Sequence, residues 1–152
     1  MIFREISTCR RIFHVGHASV HPISDVGLGA AHMILIANCL VAVVAALHVY
    51  FLVLEMFLWT RPLGLKTFRN TIEKATDQAV LAANQGLYNG FLAAGLVWGL
   101  IHGNPSLGFQ IKTFFLLCVI VAGVYGAAPA SGGILYGQAA PAALALVLLW
   151  LV

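Results

Sequence analysis

Charge is what this chain has least of: eight basic and five acidic residues in 152, or 9% charged against 61% hydrophobic, with a mean hydropathy of +0.96. That balance excludes an ordinary soluble globular domain and places the chain in the helical membrane class. The three cysteines, Cys9, Cys39 and Cys118, form no C-x-x-C pair, which removes a dithiol redox cycle, a zinc site and a vitamin K epoxide reductase-like quinone enzyme. Residues 1–30 contain no apolar run of the length of a signal-peptide core. His14, His17 and His21 share a helical spacing, but Gly16 and Pro22 weaken the helix and no acid or cysteine completes a ligand set. No metal and no cofactor is expected. A net charge of +3 beside apolar spans sets topology rather than binding nucleic acid.

What is present is a series of apolar runs. At about 20 residues per crossing, the length predicts an all-α membrane protein, an antiparallel four-helix transmembrane bundle, with spans near 33–59, 79–101, 107–127 and 133–152. Thr60-Arg61-Pro62, His102-Gly103-Asn104-Pro105 and Pro129-Ala130-Ser131-Gly132-Gly133 break the runs. The connections are long, short and short, which makes sequential spans antiparallel neighbours. Met33 opens the first run directly, so residues 1–32 are expected to be a disordered tail or the product of a misplaced translation start. The loop 61–78 carries Arg61, Lys66, Arg69 and Lys74, and no basic residue lies between the later spans. The charge bias predicts a cytoplasmic loop in the cell (inner) membrane with both termini outside, although Arg4, Arg10 and Arg11 oppose that orientation.

The stretch 47–59 holds the chemistry. His48 and Glu55 lie inside the first apolar run, and an intramembrane acid nearly always faces a bundle interior or a wet cavity. At 1.5 Å per residue, Glu55 is about 12 Å from the middle of its span, toward the loop, with His48 near mid-depth. Seven residues apart, the two project from one face with Trp59. Asn84, Gln85, Tyr88 and Asn89 begin the second span on the same side, within an arc of about 140°. Tyr125, Tyr136 and Gln138 end span three and begin span four there. The reading is a pocket opening toward the basic loop, with Glu55 and His48 as proton donor and acceptor. Asn84, Gln85, Tyr88, Asn89, Tyr125, Tyr136, Gln138 and Trp59 are its binding residues. Asn38, His102 and Lys112 fall in the opposite half, Lys112 snorkelling to the far interface. Gly86-x-x-x-Gly90 lies opposite the polar arc and offers close approach to a helix of the same chain or, in a homodimer, of a second copy.

The motifs Leu-Glu-Met-Phe-Leu-Trp-Thr-Arg-Pro at 54–62 and Leu-Ala-Ala-Asn-Gln-Gly-Leu-Tyr-Asn-Gly-Phe-Leu-Ala-Ala-Gly at 81–95 resemble a widespread family of small bacterial and fungal membrane proteins known as a domain of unknown function. The resemblance covers about residue 33 to the end and implies four spans beginning near Met33. It implies no reaction, ligand or catalytic residue. Three functions compete. The first is binding or conversion of a small lipophilic molecule by proton transfer, similar in residue kinds to sterol isomerases of the emopamil-binding type. The second is a small proton-coupled multidrug-type transporter, which shares four spans and a glutamate in the first. The third is a structural or assembly subunit, which needs no pocket. The lipid bilayer is the expected partner in all three.

Overall fold

The computed structural model describes residues 23–127 and 135–151. Of the tail expected over residues 1–32, residues 1–22, with His14, His17 and His21, lie outside the described residues. Among those described there is no strand. Helix α1 runs Ile23–Phe57, α2 Pro62–Phe68, α3 Ile72–Asp77, α4 Ala79–Ile101 and α5 Pro105–Ala127. A π-helical turn, Leu135–Ala139, leads directly into α6, Ala140–Trp150. Pro141 has no N–H for the carbonyl four residues back, and the change from wide to α winding falls beside it.

Two elements differ from the expectation. Helix α1 starts ten residues ahead of Met33, because Asp25 and the small residues up to Ala31 do not interrupt a helix that the apolar run downstream already supports. The charged segment 61–78, read as a loop, folds into α2 and α3 instead. Pro62 occupies the first turn of α2, where its missing N–H costs nothing. Arg69 ends α2 in the left-handed conformation, with φ 50° and ψ 42°. Thr71 then caps α3, its hydroxyl accepting from the Lys74 N–H at 3.4 Å.

This short helical pair is tied to the end of α1. The indole N–H of Trp59 donates to the Ala75 carbonyl at 3.0 Å, and its ring packs on Phe68 with centroids 4.8 Å apart. Ala75 is fully buried and Gly64 rests on the Leu58 carbonyl, where a side chain would have no room. Trp59→Phe keeps the ring contact and loses the hydrogen bond. It should cost about 1 kcal/mol locally and speed proteolytic cleavage within 61–78 while far-UV helicity is retained.

The long helices pack around one core. Helix α1 contacts α4 and α6, and α5 contacts the same two. Val41, Val44 and Ala45 of α1 meet Leu96 of α4, Leu116 and Val119 of α5, and Ala142 and Ala145 of α6, all buried. The outer faces are apolar as well: Ile36, Val43 and Phe57 on α1, Phe91 and Ile101 on α4, Phe114 and Val121 on α5, and Val147 and Trp150 on α6 are exposed. A chain this poor in polar residues has apolar side chains left over after its core is filled.

Candidate functional site

Close approach of α1 and α4 builds the site. A Cβ at Gly86 would lie 2.7 Å from Met56 Cγ, 3.1 Å from Glu55 Cβ and 3.2 Å from the Leu52 carbonyl oxygen; at Gly90 it would lie 2.6 Å from Leu52 Cδ1. The glycines thus let the backbone of α1 lie against α4, and the short side chain between them reaches across. Asn89 Nδ2 donates to Glu55 Oε2 at 2.7 Å, the length of a charge-assisted bond. Asn89 is 3% exposed and Glu55 half-buried. Oε1 takes no donor among the described residues. The carboxyl group is held by an amide of the neighbouring helix rather than by Arg61 or Lys66, both of which are exposed.

His48 lies two turns deeper on the same helix face and is 1% exposed. Its Nδ1 donates to the Val44 carbonyl at 2.8 Å; a carbonyl only accepts, so in the neutral ring Nε2 is the acceptor left free. Seven residues separate His48 from Glu55, about 10 Å of helix rise. The two cannot exchange a proton directly, and a molecule using both must span that distance.

The polar arc of α4 divides. Asn89 belongs with Gly86, Gly90 and Ala93 on the face against α1, whereas Asn84, Gln85 and Tyr88 are exposed. The helical wheel explains the regrouping. Asn89 is about 60° from Gly86 and about 40° from Ala93, but about 140° from Asn84. Gly86 and Gly90, for which a second copy of the chain was one expectation, are occupied by α1 of the same chain. Tyr125 is 82% exposed at the end of α5, and Gln138 is half-buried on the π turn. The side chain of Tyr136 lies outside the described residues. Trp59 has given its N–H to Ala75 and holds the loop helices. The arrangement therefore gathers Glu55 and Asn89, with His48 two turns away, and leaves Asn84, Gln85, Tyr88 and Tyr125 exposed. Among the described residues, no three histidine, cysteine or acidic side chains are placed to hold a metal.

A second polar pair occupies the other end of the long helices. Lys112 Nζ donates to Asn38 Oδ1 at 2.7 Å. It does so in a cleft of about 420 Å3 whose walls come from α1, α4, α5 and α6. This cleft lies at the end of the long helices away from the basic segment 61–78 and is separate from the pocket expected around Glu55. Sequence offered Asn38, His102 and Lys112 as polar residues of one half; what it did not signal was the Gly99–Gly108 crossing that brings α4 and α5 close there.

Residues 42–150 match the family described as "Protein of unknown function (DUF1304)". The chain belongs to that family. The DUF1304 match runs through His48, Glu55, Asn89 and Lys112, and Asn38 lies just ahead of it. A curated relative, "Uncharacterized protein YpaA" of Lactococcus lactis subsp. lactis (strain IL1403), is 27% identical over 118 residues, covering 76% of this chain and 97% of that one. No solved structure matches the chain.

Proposed function

We propose that this DUF1304 protein is an integral protein of the cell (inner) membrane whose α1, α4, α5 and α6 form a four-span bundle. On this reading the seam between α1 and α4 binds a small lipophilic molecule and exchanges a proton with it at Glu55. Support for the bilayer comes from two helices. The segments Leu28–Phe57 and Pro105–Gly126 are long and apolar enough to cross a membrane, and only 28% and 22% of their apolar windows are buried. The core helix of a soluble protein would be mostly buried; here the surplus apolar surface asks for a lipid solvent. Helices α4 and α5, with 23 residues each, measure about 35 Å, enough for a hydrocarbon core of about 30 Å. The excess of basic residues in 61–78 supports a cytoplasmic position for α2 and α3.

The observation that carries the site is the half-buried carboxyl group of Glu55, held by Asn89 on one oxygen and free on the other. Leu52 and Met56 flank it with apolar surface. A polar head on a lipophilic body, a hydroxyl, amine or enolisable carbonyl, would give its proton to Oε1 or take one from it.

The test is a thermal-shift screen of detergent-purified protein against lipids, quinones, sterols and quaternary ammonium dyes, on wild type and Glu55→Gln in parallel. A true ligand at a hundred times its Kd stabilises the wild type by about 2.7 kcal/mol and leaves Glu55→Gln unshifted. If the stabilising compounds are all cationic dyes, the exporter reading replaces this one. If no compound shifts the wild type and the variant is equally stable, Glu55 is a packing group and the proposal fails.

A further inference from the structure

The cleft at the opposite end is distinct from the Glu55 seam. Along α1, Asn38 is 17 residues before Glu55, about 25 Å of helix rise. The cleft's charged group is Lys112, which no acidic side chain among the described residues meets; His102 also lines the cleft, its Nδ1 accepting from the Asn104 N–H at 3.1 Å. Lys112 has the Asn38 amide oxygen as its partner among the described residues, and an ammonium has three donors. The acids Glu55, Glu73 and Asp77 belong to the other end of the fold. Asp25 precedes Asn38 on α1 by 13 residues, about 20 Å.

The position of the ammonium is constrained. Helices α4 and α5 cross so tightly at Gly99 and Gly108 that a Cβ on Gly99 would lie 2.7 Å from Lys112 Cγ and 3.0 Å from the Lys112 backbone nitrogen. The stem of Lys112 is thereby laid on Gly99, and its head is delivered to Asn38 in the cleft. Pro105 opens α5 at the same wall, so the positive end of that helix dipole adds to the field of Lys112. Ile34, Leu100, Phe109 and Leu149 supply apolar walls. The volume of about 420 Å3 is in the size class of small-molecule sites.

We infer that this cleft is a binding site for a phosphate-bearing amphiphile, its oxyanion taken by Lys112 and its tail lying along the apolar wall toward the lipid. The two free donors of the ammonium match two oxygens of one phosphate. A lipid headgroup and a free phosphate share that chemistry; the apolar wall assigns the lipid.

The test uses the full chain in a neutral detergent with three probes: dodecyl phosphate, dodecanol and inorganic phosphate. Binding is read by calorimetry and by thermal shift. Dodecyl phosphate is expected to bind the wild type, and dodecanol and inorganic phosphate each at least about tenfold more weakly, the worth of a hydrogen bond to a charged group. Lys112→Gln should lose the same factor. Asn38→Asp is the decisive variant, because it hands Lys112 an internal counter-charge; it should keep or raise the melting temperature of the free protein while abolishing dodecyl phosphate binding. Glu55→Gln should bind dodecyl phosphate like wild type, so failure of the Glu55 reading leaves this one standing. Undiminished binding in Asn38→Asp overturns the site, as does a loss confined to Glu55→Gln. Equal binding of dodecanol overturns the oxyanion, and equal binding of inorganic phosphate overturns the lipid.

Discussion

Asn89→Leu should destabilise the protein by about 2 kcal/mol, and adding Glu55→Leu should restore most of that loss. The single variant removes the Nδ2–H that meets Oε2 at 2.7 Å and strands a half-buried carboxyl group, which costs about 1–3 kcal/mol. The double variant replaces both partners by apolar side chains, a change that is nearly neutral when shape is preserved. The four proteins of the cycle, titrated with denaturant in mixed micelles, give the coupling directly. Hydrogen bonds between membrane helices average about 0.6 kcal/mol. A coupling near that value makes the pair ordinary interhelical glue, whereas one above about 1.5 kcal/mol marks a desolvated, charge-assisted bond. Stability and binding separate in the double variant, which should be folded and unable to bind any ligand that needs Glu55. A double variant that still binds such a ligand removes the carboxyl group from the site.

Much of this was legible in the sequence because apolar runs and proline breaks act locally. The all-helical character follows from composition, and the ends of α1 and α4 follow from Thr60-Arg61-Pro62 and His102-Gly103-Asn104-Pro105, where proline cannot continue a preceding helix. Glu55 announces itself, since an acid in an apolar run needs a partner. The identity of the partner was harder. Grouping α4 by polarity places Asn89 with Asn84, Gln85 and Tyr88; grouping it by size places Asn89 with Gly86, Gly90 and Ala93. Interhelical packing follows size, because a backbone approach needs small side chains whatever their polarity.

Other features were illegible for different reasons. Helices α2 and α3 are too short for a periodic signal, and they are held by tertiary contacts, Trp59 to Ala75 and Gly64 on Leu58, that no local pattern reveals. Trp59 reads as a binding residue of the pocket until its N–H is seen to be spent on the Ala75 carbonyl. The cleft at Lys112 depends on two glycines, Gly99 and Gly108, nine residues apart on different helices. Only their meeting makes Lys112 and Asn38 a pair.

The same glycine logic yields the other large effect. Gly86→Val should cost about 2–3 kcal/mol, the upper range for overpacking a close-packed contact, and should weaken any Glu55-dependent ligand in parallel. The new Cβ would press on three atoms of α1, and they differ in how far they can yield. Met56 Cγ, at 2.7 Å, belongs to a flexible side chain and can swing aside; Glu55 Cβ at 3.1 Å and the Leu52 carbonyl oxygen at 3.2 Å are fixed to the backbone and move only if α1 moves. Met56→Ala in the Gly86→Val background should therefore recover part of the stability. It should not recover the Asn89–Glu55 bond, whose 2.7 Å length depends on the separation of the helix backbones. Gly103→Ala is the control, since a Cβ there meets nothing within 4 Å and its φ is not positive. It should be neutral or stabilising by up to about 1 kcal/mol through the unfolded state. Thermal unfolding of the three variants beside wild type, with ligand titration on each, decides whether the α1–α4 spacing sets the site. Full recovery of binding in Gly86→Val/Met56→Ala would show that the side chain of Met56, and not the distance between backbones, shapes it.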